Sequence, residues 1–337
     1  MKNKKIILAA GVYPPQIGGP AKYAKNLNDE FKKMGYEVSV VTFVLEHKLP
    51  PGIRHLYYFG RLFLVAIKGN VIIAFDTLST GLPATIVAKI LGKNCIIRVG
   101  GDFLWETYTE RNQEMIPLSL FYRDKTKWGM KDKIIFVLTK FVVSHCDAFA
   151  FNSKWLLDLF KENYNLLSKK AFVIKNVFDK KTEAVNSPTK NFLWAGRPIF
   201  LKNIEILKSA FIEVQKDYPE ARLDIVTGIT SAELMEKIKN SYVLVLPSIS
   251  DVMPNFILEG LELGKPFLVT KYSGIGDDFS NCGEFIDPLD RESIKNGICN
   301  LLDDKKYSEY RENILKNDIK NSWQDIATSF IKIIDGI

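Results

Sequence analysis

Two pairs of residues carry the chemistry legible in this sequence. Arg197 and Lys202 stand five apart in Gly196-Arg197-Pro198-Ile199-Phe200-Leu201-Lys202-Asn203, between a strand-like run and a helical pattern. A guanidinium fork and an ammonium point charge on one such loop can converge on a single anion, and together they suit a diphosphate. Taken alone, such a pair is more often two solvated cations. Asp251 and Glu259 form the second pair, with seven residues between them. Asp251 follows the apolar run Tyr242 to Leu246, and Glu259 lies about one turn inside a helix that begins near Pro254 and stops at Gly264. Ligands of parallel sheets gather outside the carboxyl ends of the strands, and a helix N-terminus there offers free N–H groups and a positive dipole end. The amides near Asn255 and Phe256 are therefore expected at a diphosphate. Carboxylates beside that spot would repel phosphate, so Asp251 and Glu259 read as acceptors for sugar or ribose hydroxyls. A capping acid and a solvated helix acid are the bland alternative.

The segment from Pro247 through Gly264 resembles the acid–seven residues–acid signature of retaining GT-B glycosyltransferases of the GT4 family. Asp251 falls on the first acidic position, usually Glu in that family, and Glu259 on the second. The resemblance implies that the first acid touches the donor sugar and the second holds the ribose hydroxyls. Gly196-Arg197, four residues and Lys202 match the family's donor clamp residue for residue. Gly18 and Gly19, in the loop Val12 to Pro20, resemble its glycine-rich N-terminal loop, which would face the donor phosphates and the acceptor. On the residues alone that loop is a strand-to-helix turn. Its spacing is not G-x-G-x-x-G, which disfavours a nicotinamide enzyme. Gly101 stands where many members carry His, and Asp102 follows it. Asp102 or Glu106 could accept a proton from an acceptor hydroxyl; a turn-capping Asp102 with Trp105 in the core is the equal alternative. Lys175 to Asp179 resembles the family's Pro-Asn-Gly-Val-Asp motif, without its Pro and Gly.

Positioning these residues takes strands alternating with helices, which means βαβ units and parallel sheets. Strands are expected at Lys5–Ala10, Val38–Phe43, Val71–Phe75, Asn94–Val99, Ala148–Phe151, Phe172–Ile174, Asn191–Ala195, Arg222–Val226, Tyr242–Leu246 and Phe267–Val269. Between them helices are expected at 21–34, 61–68, 82–91, 134–144, 154–164, 204–218 and 232–239, with two amphipathic helices, 307–319 and 323–334, at the end. Lys48 to Tyr58 reads as loop with a short strand, and Glu110 to Lys133 as a polar, basic loop. By resemblance the fold is α/β, GT-B: two Rossmann-like parallel-sheet domains facing an interdomain cleft. Residues 1–178 form the acceptor-side domain, 179–190 a linker, 191–318 the donor-side domain, and 319–337 a helix crossing back to the first. Between Thr227 and Thr230 the chain is shorter than the family pattern.

Composition narrows the class. The chain has 337 residues, 47% hydrophobic and 25% charged, enough for two soluble domains. No apolar run reaches the roughly 18–20 residues of a membrane span, and Met1 to Ala10 reads as a first strand, not a signal peptide. Cys95, Cys146, Cys282 and Cys299 show no metal-type spacing, nor do His47, His55 and His145, so no metal and no cofactor are expected. A net charge of +7 favours an anionic partner: nucleotide diphosphate, acidic lipid or, ranked last for want of a motif, nucleic acid. Lysines with Trp128 beside the apolar helix 134–144 could touch an anionic membrane surface; a solvated loop and a core helix explain them too.

The expected function is transfer of a sugar from a nucleotide-diphosphate donor, acting as co-substrate, to a sugar or lipid-linked acceptor hydroxyl. Family habit implies a metal-independent enzyme of surface-polysaccharide or glycolipid assembly, in the cytoplasm or on the inner face of its membrane. A GT-B relative that binds without turnover is the alternative, and an epimerase or phosphorylase of the same fold a further one.

Overall fold

The structure is a computed structural model that describes residues 4–16, 18–43, 49–50, 53–179 and 189–337. Its inner strands are short, almost continuously apolar runs buried on both faces, the mark of parallel sheets covered by helices. The chain divides into two compact units. The first comprises Met1–Leu104, Lys125–Val177 and Asn321–Ile337; the second comprises Trp105–Asp124 and Phe178–Lys320. Sequence reading assigns all of 1–178 to the first domain, so the membership of residues 105–124 in the second unit is a difference. Of the expected linker 179–190, residues 180–188 lie outside the described residues.

The first unit runs β1 (Lys5–Ala10), α1 (Gly19–Lys33), β2 (Glu37–Thr42), α2 (Ile53–Ala66), β3 (Val71–Ala74), α3 (Gly81–Leu91) and β4 (Asn94–Val99). Next come α4 (Phe103–Asn112) and α5 (Leu118–Phe121), which lie almost wholly in the second unit. The first unit resumes with α6 (Met130–His145), β5 (Ala148–Phe151), α7 (Lys154–Tyr164) and β6 (Ala171–Val173). Its sheet is parallel, in the order β2-β1-β3-β4-β5-β6. Ile6, Leu8, Ile73, Ile96 and Ala150 share one core with Tyr23, Leu27 and Phe31 of α1 and with Ile326 and Phe330 near the C-terminus. Alternate residues face the other way, where Ile97 meets α3 at Gly81 and Phe151 meets Phe160 of α7 edge-on.

Two readings are corrected here. The stretch from Lys48 to Tyr58 carries no strand among its described residues; α2 already begins at Ile53 and is longer than the expected 61–68. Tyr58, Leu62 and Ala66, four apart, are buried along one side of it, and the Tyr58 hydroxyl donates to the Val41 carbonyl. Trp128 is 5% exposed, with its ring edge-on to Phe136 and Lys125 over both rings. It packs in the core, so no membrane contact can run through it.

The second unit runs β7 (Asn191–Ala195), α8 (Ile204–Asp217), β8 (Arg222–Val226), α9 (Ser231–Asn240), β9 (Val243–Leu246), α10 (Asn255–Leu261), β10 (Phe267–Thr270), α11 (Gly276–Phe279), β11 (Gly283–Ile286), α12 (Arg291–Leu302) and α13 (Asp304–Lys316). Its parallel sheet is ordered β11-β10-β9-β7-β8. The final helix, α14 (Trp323–Gly336), belongs to the first unit and packs on α1, with Phe330 edge-on to Phe31. In each sheet the first strand of the unit lies inside, so the connections leave it in opposite directions. Such a switch point opens a crevice at the carboxyl ends of the diverging strands.

Candidate active site

In the second unit the switch point lies between β7 and β9, and the loops leaving these two strands carry Arg197, Lys202 and Asp251. The loops are tied together. The Ile249 amide donates to the Leu201 carbonyl at 3.0 Å. Asn203, left-handed at φ 55°, reaches across with its side-chain amide to the carbonyls of Pro247 at 3.1 Å and Pro288 at 2.7 Å. Asn tolerates that backbone region better than most residues, and here its side chain also replaces water for two carbonyls. The Asp251 amide donates to Tyr272, which anchors the same loop to the strand beyond.

Lys202 Nζ lies 2.6 Å from Asp251 Oδ2, and both side chains are largely sheltered from solvent. The Ser248 hydroxyl approaches the same carboxylate oxygen at 3.4 Å. Arg197, on the same loop as Lys202, is exposed. Asn255 and Phe256 open α10, which follows the Asp251 loop, and Glu259 sits half-buried four residues after Asn255, on the same side of the helix. The first-turn N–H groups of a helix have no intrahelical acceptor, so this end of α10 is a donor of hydrogen bonds. Gly260 lets α10 lie close on β9: a Cβ there would stand 2.0 Å from Leu244 Cδ1. The structure thus brings Lys202 and Asp251 into contact, which their separation in sequence gives no means of predicting.

Residues 105–124 buttress these loops. Glu110 Oε1 accepts the Leu201 amide at 2.8 Å, and the Leu118 amide donates to Ser250 Oγ at 2.9 Å. Each contact falls one residue from a site residue, Lys202 in the first case and Asp251 in the second. Sequence reasoning missed Glu110, Ser250 and Asn203. Asn203 alone carried a signal, as an Asn between a loop and a helix start.

The other candidates belong to the first unit. Gly18, at φ 147°, and Gly19 form the exposed start of α1. Asp102 is 2% exposed, between β4 and α4. The switch point of this sheet, between β1 and β3, holds a pocket of about 370 Å³ lined by Gly11, Pro20, Phe43, Arg54, His55 and Asp76 among others. Asp76 accepts the amides of Leu78 and Thr80 and the Thr80 hydroxyl. Burial pushes its carboxyl up from the ordinary range, and these hydrogen bonds hold it back. Burial, then Arg54 beside it, pulls the His55 imidazole down. Neither this pocket nor Asp76 was legible in the sequence.

Residues 226–321, which include Asp251 and the whole of α10, match the family described as Glycosyl transferases group 1. A relative from Methanocaldococcus jannaschii, "Uncharacterized glycosyltransferase MJ1607", is 25% identical over 52% of this chain and 54% of its own. The match thus spans about half the length of that relative. Among solved structures, a sucrose-phosphate synthase from Thermosynechococcus elongatus superposes with a TM-score of 0.72, covering 99% of this chain and 98% of that one at 13% identity. HepE from Anabaena, solved in complex with UDP and glucose, superposes with a TM-score of 0.70 over 99% and 100%, also at 13% identity. These likenesses give the fold: two Rossmann-like parallel-sheet domains of the GT-B kind. The matched residues, all but Asn321, lie in the second unit and supply the Asp251 and α10 side of the crevice.

Proposed function

We propose that this protein is a retaining glycosyltransferase that moves a sugar from a nucleotide diphosphate to an acceptor hydroxyl. The observation that carries the reading is the crevice at the β7–β9 switch point, where Arg197, the Lys202–Asp251 pair and the start of α10 gather on adjoining loops. The donor diphosphate lies against Arg197, Lys202 and the amides of Asn255 and Phe256. Glu259 accepts from the ribose hydroxyls, and Asp251 steers the sugar. As the bond from the anomeric carbon to the diphosphate oxygen breaks, negative charge grows on that oxygen. Fixed cations and N–H dipoles stabilise it without reorganising. The acceptor oxygen attacks the same face of the sugar, and its proton passes to the departing diphosphate. The first unit, with Gly18 and Gly19 at the start of α1, takes the acceptor in the pocket bounded by Asp76. Asp102 belongs to the acceptor side as a positioning group. HepE was solved with UDP, which makes uridine diphosphate sugars the first donors to try. The same reading extends to a lipid-linked or polysaccharide acceptor, and fixed cations in the place of a metal.

Thermal-shift titration against UDP-, GDP-, ADP- and CMP-sugars finds the donor, since a ligand of the folded state raises Tm. Transfer to a panel of sugar acceptors, with the product's anomeric configuration read by NMR, then tests retention. An inverted product overturns the mechanism. A donor that binds without transfer or hydrolysis favours the non-catalytic relative, a reading supported by the neutralisation of Lys202 by Asp251.

A further inference from the structure

Two helices of the first unit, α2 and α6, invert the pattern expected of a solvated surface. α3 packs between α2 and α6, on the sheet face opposite α1. While α2 turns Tyr58, Leu62 and Ala66 inward, Leu56, Leu64 and Ile67 stand outward at 72%, 69% and 52% exposed. With Ile53 they recur at helical spacing, so an apolar stripe runs the length of the solvent side. α6 repeats the arrangement: Ile135, Thr139 and Val142 face in, while Met130, Ile134 and Val137 face out at 75%, 51% and 62% exposed. Single exposed aliphatic residues are ordinary, but two such stripes on one helical layer mark an interaction surface.

The charge of this layer has one sign. α2 and α3 contain no acid at all, and the single acid of α6, Asp132, is buried and accepts the Gly129 amide. Lys131 and Lys133 flank the α6 stripe in solvent, and Lys68 and Lys89 are exposed at the far ends of α2 and α3. Several helical lysines elsewhere are neutralised in place, as Lys25 is by Asp29 and Lys208 by Glu205.

We propose that the α2–α3–α6 layer docks flat on an anionic lipid surface. The aliphatic stripes enter the headgroup region, and the lysines beside them extend along their stems to meet lipid phosphates. Among the described residues no helix is long and apolar enough to cross a membrane, so the layer lies on the surface and does not span it. A second copy of this chain fits less well, because a symmetric interface would set one acid-free cationic face against another. Nucleic acid fits less well too, since the outward stripes are aliphatic and offer few rings on which bases could stack. Docking of this kind is independent of the chemistry proposed for the second unit.

Co-sedimentation of the full chain with phosphatidylcholine vesicles, with and without phosphatidylglycerol, tests the inference. Binding is expected with phosphatidylglycerol, falling as salt rises, and little without it. Leu64→Glu with Val137→Glu should abolish it. Lys131→Gln with Lys133→Gln, which leaves both stripes intact, should weaken it roughly fivefold per charge. Circular dichroism confirms that each variant is folded. No binding to anionic vesicles, equal binding to both kinds, or wild-type binding by both variants overturns the proposal. A dimer that dissociates on Leu64→Glu, or duplex DNA bound in place of vesicles, overturns it in favour of those partners.

Discussion

Lys202 Nζ sits 2.6 Å from Asp251 Oδ2, joining the loop after β7 to the loop after β9. One residue was expected at the phosphate and the other at the sugar, yet each is the other's counter-ion. A diphosphate entering the crevice would compete with Asp251 for the ammonium, and Arg197, exposed and in no ion pair among the described residues, would meet it first.

Turnover and stability should therefore separate between the two cations. Both Arg197→Ala and Lys202→Ala should slow transfer about 30- to 1000-fold, the cost of one charged contact in the transition state. Only Lys202→Ala should also destabilise the fold, because it strands a sheltered carboxylate; Arg197→Ala should stay within about 0.5 kcal/mol. A double-mutant cycle of Lys202→Ala and Asp251→Ala in urea should give a coupling of about 0.5–3 kcal/mol. Wild-type turnover of both single variants would remove these residues from the chemistry.

Glu110 should act on donor binding without touching donor. Its carboxylate holds the Leu201 amide, one residue from Lys202. Glu110→Gln keeps an acceptor oxygen and should stay near wild type, whereas Glu110→Ala should raise the donor KM severalfold. If both variants behave alike, the amide contact does not position Lys202.

Asn203→Ala loses two hydrogen bonds to buried carbonyls and places Ala at φ 55°. A loss of roughly 2–4 kcal/mol in chemical denaturation is expected. Asn203→Gly removes the strain alone and should recover only part of it.

Packing beneath α10 gives a further test. Gly260→Ala would set a methyl against Leu244 Cδ1 and Cγ at 2.0 and 2.9 Å, in a fully buried contact. About 1–3 kcal/mol should be lost, and donor affinity should fall with it because Glu259 is the preceding residue. Leu244→Ala in the same chain should recover part of both, which a purely local effect on Glu259 would not allow.

Lys265 supplies the pH dependence. It is 1% exposed, donates to the Ser241 carbonyl at 2.7 Å, and is pulled by burial, with Arg311 adding, to about 8 from an ordinary 10.5. Below pH 8 folded and unfolded chains both hold the proton, and the cost of burying charge is constant. Between about 8 and 10.5 the unfolded chain still holds it while the folded chain gives it up, so stability rises with pH. The gain is at most about 3 kcal/mol. Lys265→Met should flatten the rise between pH 8 and 10; parallel curves for the two proteins would refute the assignment.

What was legible in the sequence followed periodicity and punctuation. Asn94–Val99, Asn191–Ala195 and Lys154–Tyr164 stand where they were expected, the last because Ser153 caps the helix by accepting the Leu156 amide. Gly92, at φ 61°, ends α3 as read. The start of α2 was lost because its outward side is as apolar as its buried one, which hides the helical period. Gly283–Ile286 and Arg291–Leu302 were given no element, although they close the second sheet and cover it. At the site, residue types and spacing on one loop could be read. The ion pair between loops, the reach of Asn203 and the support from Glu110 depend on separations that only the folded chain closes.

The interleaving of the units along the chain governs how the molecule can be dissected. A fragment ending at Val177 would lack α14 and leave Leu27, Phe31 and Ile73 without Ile326 and Phe330 against them. A fragment starting at Phe178 would lack the acceptor for the Leu201 amide and the donor to Ser250. Cutting at the obvious junction therefore yields two incomplete halves; expression of one half alone calls for grafting the missing piece through a designed connection.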